Sequence, residues 1–176
     1  MILKHTARLI FDCIHVLERF KLGIVLISLL IIVGCQPEKI NENIDISKAW
    51  HFSPDENNKG EKEGWFAVSF DDSHWKILDA GIKWEEQGFP DLDSYGWYRK
   101  SVTIPKYWKG QKIWLKFEAV NDAYTLFING EKLSFFGEAN ISIATRQTFT
   151  EIYKKVKFGK HNQIALRVKD WVGTGG

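Results

Sequence analysis

The sequence predicts an all-β domain behind a short apolar N-terminal leader. Three observations carry that expectation. From Trp97 to Ile104 the side chains alternate, with Tyr98, Val102 and Ile104 on one face, Arg99, Ser101 and Thr103 on the other, and Lys100 out of pattern. A period of two marks a half-buried strand. Asn129-Gly130 stands between two further apolar runs, and both residues tolerate the positive φ that a two-residue hairpin turn demands. Aromatics make up 14% of the chain, with 8 Trp among 176 residues, and rings of that size dominate core energetics.

Taken in order, the chain opens on an address. Leu22 to Gly34 (LGIVLISLLIIVG) is an unbroken apolar run behind Arg19 and Lys21. It is shorter than the roughly 20 residues a membrane span needs and has the form of a signal-peptide h-region, a hydrophobic signal helix. The run closes on Ile32-Val33-Gly34-Cys35. An apolar residue, a small residue and then cysteine resemble a bacterial lipobox, which implies cleavage before Cys35, lipidation of Cys35 and anchoring to a membrane of the bacterial cell envelope, on its periplasmic or cell-surface face. An uncleaved anchor, or a buried helix with a chance cysteine, is the competing reading. Residues 1–34 are then a lipoprotein signal peptide and residues 35–48 a tether, because Gln36 to Ser47 is polar and charged. Residues 49–176 form the domain.

The cysteines agree with export. Cys13 and Cys35 are the only two, one in the leader and one spent on lipid, so the mature chain forms no internal disulfide. The formal net charge of +2 belongs to the leader, where Lys4, Arg8, Arg19 and Lys21 outweigh Asp12 and Glu18. The remainder is neutral and has no basic run, which speaks against nucleic-acid binding.

Trp50 and Phe52 open the folded part, and Asp55 to Gly64 is a loop rich in charge and glycine. In Phe70-Asp71-Asp72-Ser73-His74-Trp75 the aspartate and serine side chains fit a tight turn, with Trp75 dropping into the core. Structural calcium at Asp71, Asp72 and His74 is the alternative, but calcium takes six to eight oxygens and this group offers few. Ile82 to Gly96 is a long loop of acids, an amide and aromatics. Lys109-Gly110 turns the chain, Ile113, Leu115 and Phe117 share a face, and so do Tyr124, Leu126 and Ile128. Glu131 to Phe136 is the returning strand of the hairpin. Ile164, Leu166 and Val168 alternate in the last strand, before Lys169-Asp170-Trp171.

The ordered run Gly96-Trp97-Tyr98-Arg99-Lys100, Pro105, Asn121-Asp122 and Phe127-Ile128-Asn129-Gly130 resembles the sugar-binding domain at the front of family 2 glycoside hydrolases of the β-galactosidase and β-glucuronidase type. The likeness covers roughly Trp65 to Gly176. It implies a jelly-roll β-sandwich of the galactose-binding-like class and a carbohydrate partner, an oligo- or polysaccharide. It also implies that the loop before Gly96 lies towards an active-site rim, with Asp93 as the residue best matched to a sugar contact. The segment Phe149 to Val156 matches the family in position only, because Thr150-Glu151-Ile152-Tyr153 departs from the pattern. In the resembling enzymes the chain continues into further domains, and the two catalytic carboxylates sit in a barrel.

The candidate carbohydrate-binding residues are Trp84, Trp97 and Trp171 as platforms, with Glu85, Gln87, Asp93 and Asp170 as hydroxyl acceptors. Stitching of the loop to its neighbours competes for Glu85, Gln87 and Asp93, and core packing competes for each tryptophan. Asn121-Asp122 either lines a groove or caps a turn. No HxH or HExxH spacing suggests zinc, no GxSxG suggests an esterase elbow, and no cofactor or metal is expected. No catalytic residue is assigned, since a glycosidase needs two carboxylates facing each other across the bond. Three functions stand: a non-catalytic carbohydrate-binding domain, the front fragment of a glycosidase whose other domains are missing from this chain, and a structural surface domain that docks on a partner.

Overall fold

The computed structural model describes residues 2–8, 39–90, 92–120, 122–137 and 147–170, with the backbone path alone for 2–8, 39 and 40. Ten strands follow one another: β1 (Ile2–Arg8), β2 (Lys39–Asp45), β3 (Trp50–Pro54), β4 (Lys76–Leu78), β5 (Tyr95–Thr103), β6 (Ile113–Phe117), β7 (Ala123–Ile128), β8 (Glu131–Phe136), β9 (Thr148–Glu151) and β10 (His161–Lys169). They form two antiparallel sheets, one in the order β2-β1-β6-β9 and the other β4-β3-β5-β10-β7-β8. The all-β expectation holds, and the inner faces of the sheets meet as a sandwich.

The sandwich core follows from the alternation. Tyr98 and Val102 of β5, Tyr124, Leu126 and Ile128 of β7, and Ile164, Leu166 and Val168 of β10 point inward onto Ile113, Leu115 and Phe117 of β6. Lys100 is tolerated out of pattern because its Nζ donates to the carbonyls of Lys48 (2.5 Å) and Ala49 (3.2 Å) just before β3, at an exposed position, so the charge escapes burial. The Asn129-Gly130 turn has φ of 52° and 85°, the left-handed pair the hairpin needs. Asn129 does more than turn. Its Oδ1 accepts from the Gln163 amide at 3.1 Å, and its Nδ2 donates to the Lys155 carbonyl at 2.7 Å and to Asn162 Oδ1 at 2.9 Å, tying the hairpin to the entry of β10.

A second, smaller core lies on the opposite face of the six-stranded sheet. There Trp97, Phe127 and Ala165 point outward and are roofed by Trp65 and Trp75, with Phe66 and Phe70 at the margin. The roof is the segment 55–75, which sequence reading left as a charged loop and a turn. Trp75 is indeed buried, but in this outer cluster rather than between the sheets. Arg99 holds the roof from below. It is 1% exposed, donates Nε to Asp72 Oδ2 at 2.6 Å, and donates Nη1 to the Trp65 carbonyl. Asp55 holds the other end, accepting from Trp97 Nε1 (2.9 Å) and from the amides of Lys59 (2.7 Å) and Gly60 (3.0 Å).

Two segments differ from expectation. Lys39–Asp45, inside the stretch read as a tether, is strand β2. Its alternation was hidden by polarity: Glu42 and Ile44 are half-buried between exposed Asn41, Asn43 and Asp45, and Glu42 accepts from Tyr107 Oη (2.7 Å) and Trp108 Nε1 (3.0 Å). Ile2–Arg8, inside the leader, is strand β1, paired with β2 and β6. The apolar run 22–34 and Cys35 lie outside the described residues.

Candidate functional site

Register decides which side chains share one end of the sandwich. Tyr95, the first residue of β5, pairs with Lys169, the last of β10, and Lys169 pairs with Ala123, the first of β7. The residues just beyond those pairs are Asp93 and Ser94, Asp170, and Asp122. They gather at one end of the six-stranded sheet, where the Asp170 amide donates to the Ser94 carbonyl at 3.0 Å. Glu85, on the 3₁₀ turn Glu85–Gln87, faces the same group. Asp170 and Asp122 are buried, Glu85 is half-buried and Asp93 is exposed.

Burial pushes the Asp170 carboxyl up to about 6, and a hydrogen bond with Asp122 and the negative charges of Asp122, Asp93 and Glu85 push the same way. Like charges in one site cannot all ionise freely, so the Asp170 carboxyl keeps its proton above the ordinary carboxylate range. The end of the sandwich thus carries both carboxylate acceptors and an acid that stays protonated in mildly acidic solution.

Asp93 opens onto a cleft of about 400 Å³, whose walls include Glu56, Phe89, Pro90 and Leu92. That volume lies within the roughly 300–1,000 Å³ of small-molecule sites. Phe89 is half-buried, packs edge-on against Phe52 at 4.8 Å and carries Lys76 Nζ 4.6 Å from its ring centre. A carboxylate accepts two vicinal hydroxyls, and an aromatic ring suits the apolar face of a pyranose. Asp93, Glu56 and Phe89 supply these together.

The other expected residues divide. Trp84 and Trp97 are corrected: both are 0% exposed and offer no ring face to a ligand. Trp84 packs on Phe52 at 5.7 Å in the sandwich core, and Trp97 stacks on Phe127 at 5.6 Å beneath the roof. Gln87 stitches its loop, accepting from the Asp79 amide (2.8 Å) and donating to the carbonyls of Asp79 (3.0 Å) and Ile82 (2.8 Å). Trp171 and Asn121 lie outside the described residues. In the 70–75 turn, Asp71 Oδ1 accepts from the Ser73 amide at 3.0 Å, and hydrogen bonds from the Ser73 side chain and then its amide lower the Asp71 pKa. Asp72 is committed to Arg99.

Glu56 and Phe89 were missed by sequence reading. Glu56 belongs to a charged loop with no pattern, and Phe89 looks like any aromatic beside a proline. A separate apolar cavity of about 370 Å³ opens between the sheets beside Trp50, Phe117, Val120 and Val168. Tyr98 also lines it, with a buried hydroxyl that has no hydrogen-bond partner among the described residues; burial, and secondarily Glu85, raise that phenol's pKa.

Comparison with known proteins places this geometry. Residues 41–175 match the family described as glycosyl hydrolases family 2, sugar binding domain. A β-galactosidase of Priestia megaterium is 24% identical over 151 residues, covering 72% of this chain and 14% of that protein. A β-glucuronidase of Formosa agariphila is 26% identical over 117 residues, covering 58% of this chain and 11% of that protein. Among solved structures, the β-glucuronidase from Ruminococcus gnavus in complex with N1-substituted uronic isofagomine superposes with a TM-score of 0.63 at 19% identity, over 71% of this chain and 21% of that one. The chain therefore spans about one-seventh or less of these two curated relatives.

Proposed function

This chain belongs to the sugar-binding domain family of the family 2 glycosyl hydrolases, and from that premise we propose that it binds a saccharide without cleaving it, in the cleft beside Asp93. The observation that carries the reading is the gathering of Asp93 and Ser94, Asp122 and Asp170 at one end of the sheet, next to a cleft that adds Glu56 and Phe89. Asp93 accepts hydroxyls directly. Asp170 and Glu85 act behind it, fixing the local charge and the loop. The test is a glycan panel on the purified chain. Binding of a defined set of saccharides supports the reading, and a flat response across plant and host glycans defeats it.

The comparisons favour a second reading. In that reading, supported by two curated relatives about seven or more times as long as the matched segment, the chain is the front domain of a glycosidase of the β-galactosidase or β-glucuronidase type, and hydrolysis of O-glycosyl bonds belongs to domains beyond it. The DNA immediately downstream decides this: in-frame coding for a barrel supports it, and its absence excludes it.

We also propose export as a lipoprotein of the cell envelope, supported by Arg19 and Lys21 before the apolar run and by Cys35 after it. Cleavage before Cys35 removes β1 and leaves β2 and β6 on either side of a gap in the four-stranded sheet. Labelling with a clickable fatty acid that is lost in Cys35→Ser supports the anchor. A mature protein that still begins at Met1 rules it out.

A further inference from the structure

We propose that the outer face of the six-stranded sheet holds an anionic sugar residue, a pyranose bearing a carboxylate, between Phe135 and Lys169. The proposal rests on the reading of the domain as a carbohydrate binder, but it uses a different face and different residues from the Asp93 cleft.

Register lays out the site. Phe135 of β8 pairs with Thr125 of β7, Thr125 with Arg167 of β10, and in the next row Ala123 pairs with Lys169 and Lys169 with Tyr95 of β5. All six point outward, because their neighbours Tyr124, Val168 and Phe136 point into the sandwich. Strands lie about 4.8 Å apart, so Phe135 stands roughly 10 Å from Arg167 across the short side chains of Thr125 and Ala123. Between the walls is a cleft of about 90 Å³ lined by Tyr95, Ala123, Thr125, Phe135, Arg167 and Lys169. That is too small for a sugar ring and large enough for a carboxylate, while the ring itself fits over Phe135, which is 58% exposed.

The far wall is cationic and ordered. The Arg167 guanidinium lies 3.8 Å, and Lys169 Nζ 4.5 Å, from the centre of the Tyr95 ring. Arg167 is held by Asn58 and by Glu61, the latter at 3.4 Å, so its charge is largely answered and its role is to position Tyr95. Lys169 forms no ion pair with any described residue, and its ammonium is the one whose charge a ligand would neutralise. The acidic end lies close in sequence, yet Asp170 belongs to the inner face, so the pleat separates it from Lys169. An exposed aromatic ring on one side and, on the other, an ammonium with no ion pair among the described residues fit a uronate, whose apolar ring face and carboxylate lie at opposite ends; Thr125 and Ala123 between them are 3% and 1% exposed. A charge-assisted hydrogen bond to such a carboxylate is among the stronger polar contacts.

The test compares trigalacturonic acid with its methyl ester, two probes that differ in charge and hardly in shape, by calorimetric titration of the full chain at low salt. The acid is expected to bind at least about tenfold more tightly than the ester, and that preference is expected to shrink in 0.5 M salt. Lys169→Gln should abolish the preference, Lys169→Arg should keep it, and Phe135→Ala should weaken both probes roughly tenfold. Lys154→Gln, an exposed lysine elsewhere, should leave binding unchanged. Near-UV circular dichroism confirms that each variant is folded. Equal binding of acid and ester, or a preference that survives Lys169→Gln, overturns the proposal while leaving the Asp93 cleft standing if neutral saccharides still bind. A uronate preference that depends on Lys169, in a chain that binds no neutral saccharide, upholds the proposal and removes the cleft reading. No binding of any saccharide overturns both.

Discussion

Replacing Arg99 by methionine is expected to release the roof of the outer cluster without unfolding the sandwich. Methionine keeps the aliphatic stem but deletes three sets of contacts: the 2.6 Å bond from Nε to Asp72, the bond from Nη1 to the Trp65 carbonyl, and the weak 3.5 Å approach of Nη2 to the Phe70 carbonyl. Breaking a buried ion pair by removing one partner costs about 3–5 kcal/mol when the partner stays buried. Asp72 is 23% exposed and can rehydrate, so the loss falls towards about 3 kcal/mol, including roughly 1 kcal/mol for the orphaned Trp65 carbonyl. The loss is local, because Trp65 and Trp75 cover Trp97 and Phe127 but contribute nothing between the sheets. Hydrogen exchange reads the difference. About 3 kcal/mol corresponds to roughly 100-fold faster exchange of amides in the 60–75 segment, with the β7 and β10 amides protected as before. Uniform acceleration across all strands, or no change in the 60–75 segment, refutes the view that Arg99 clamps the roof.

Asp170→Asn should stabilise the protein above pH 6 and have no effect near pH 4. The folded carboxyl titrates at about 6 against 3.8 ordinarily, so the folded state binds the extra proton between those values and stability falls as pH rises through 6. Two pKa units set a ceiling of about 3 kcal/mol, and solvent reaching the cluster past Asp93 lowers the expected gain to about 1–2 kcal/mol. Urea unfolding at pH 4, 6 and 8 measures it, and a gain independent of pH contradicts the titration. Gly96→Ala should cost about 1–3 kcal/mol in thermal unfolding, because a Cβ there would stand 2.6 Å from Phe52 Cε2 and 2.6 Å from Trp84 Cζ3, both in the core. Asn129→Ala should cost about 2–3 kcal/mol, since it removes three hydrogen bonds and strains a φ of 52°. Wild-type stability in either variant contradicts the packing described.

Where one face of a strand is apolar, the sequence was readable. β5, β6, β7 and β10 came from alternation and β8 from its Asn-Gly turn, since an apolar period of two has one buried solution. β2 was hidden because Glu42, a carboxylate, occupies one of its inward positions and is satisfied by Tyr107 and Trp108, a contact about 65 residues away that no local pattern can display. The same limit explains the site. Asp93 was visible as an acid in a polar loop, but its meeting with Asp122 and Asp170 is a property of register. Trp84 and Trp97 misled because an indole has the same composition in a core as on a platform. Only the roof, anchored by Arg99 and Asp55, buries Trp97.

The central claim is that a saccharide rests in the cleft against Asp93. Its most direct test is calorimetric titration of the best ligand from a glycan panel into the wild-type chain and into Asp93→Asn. Loss of a carboxylate acceptor should weaken binding at least about tenfold while urea unfolding stays unchanged, because Asp93 is exposed. Identical affinity in the two proteins would mean that sugar, if held at all, is held elsewhere.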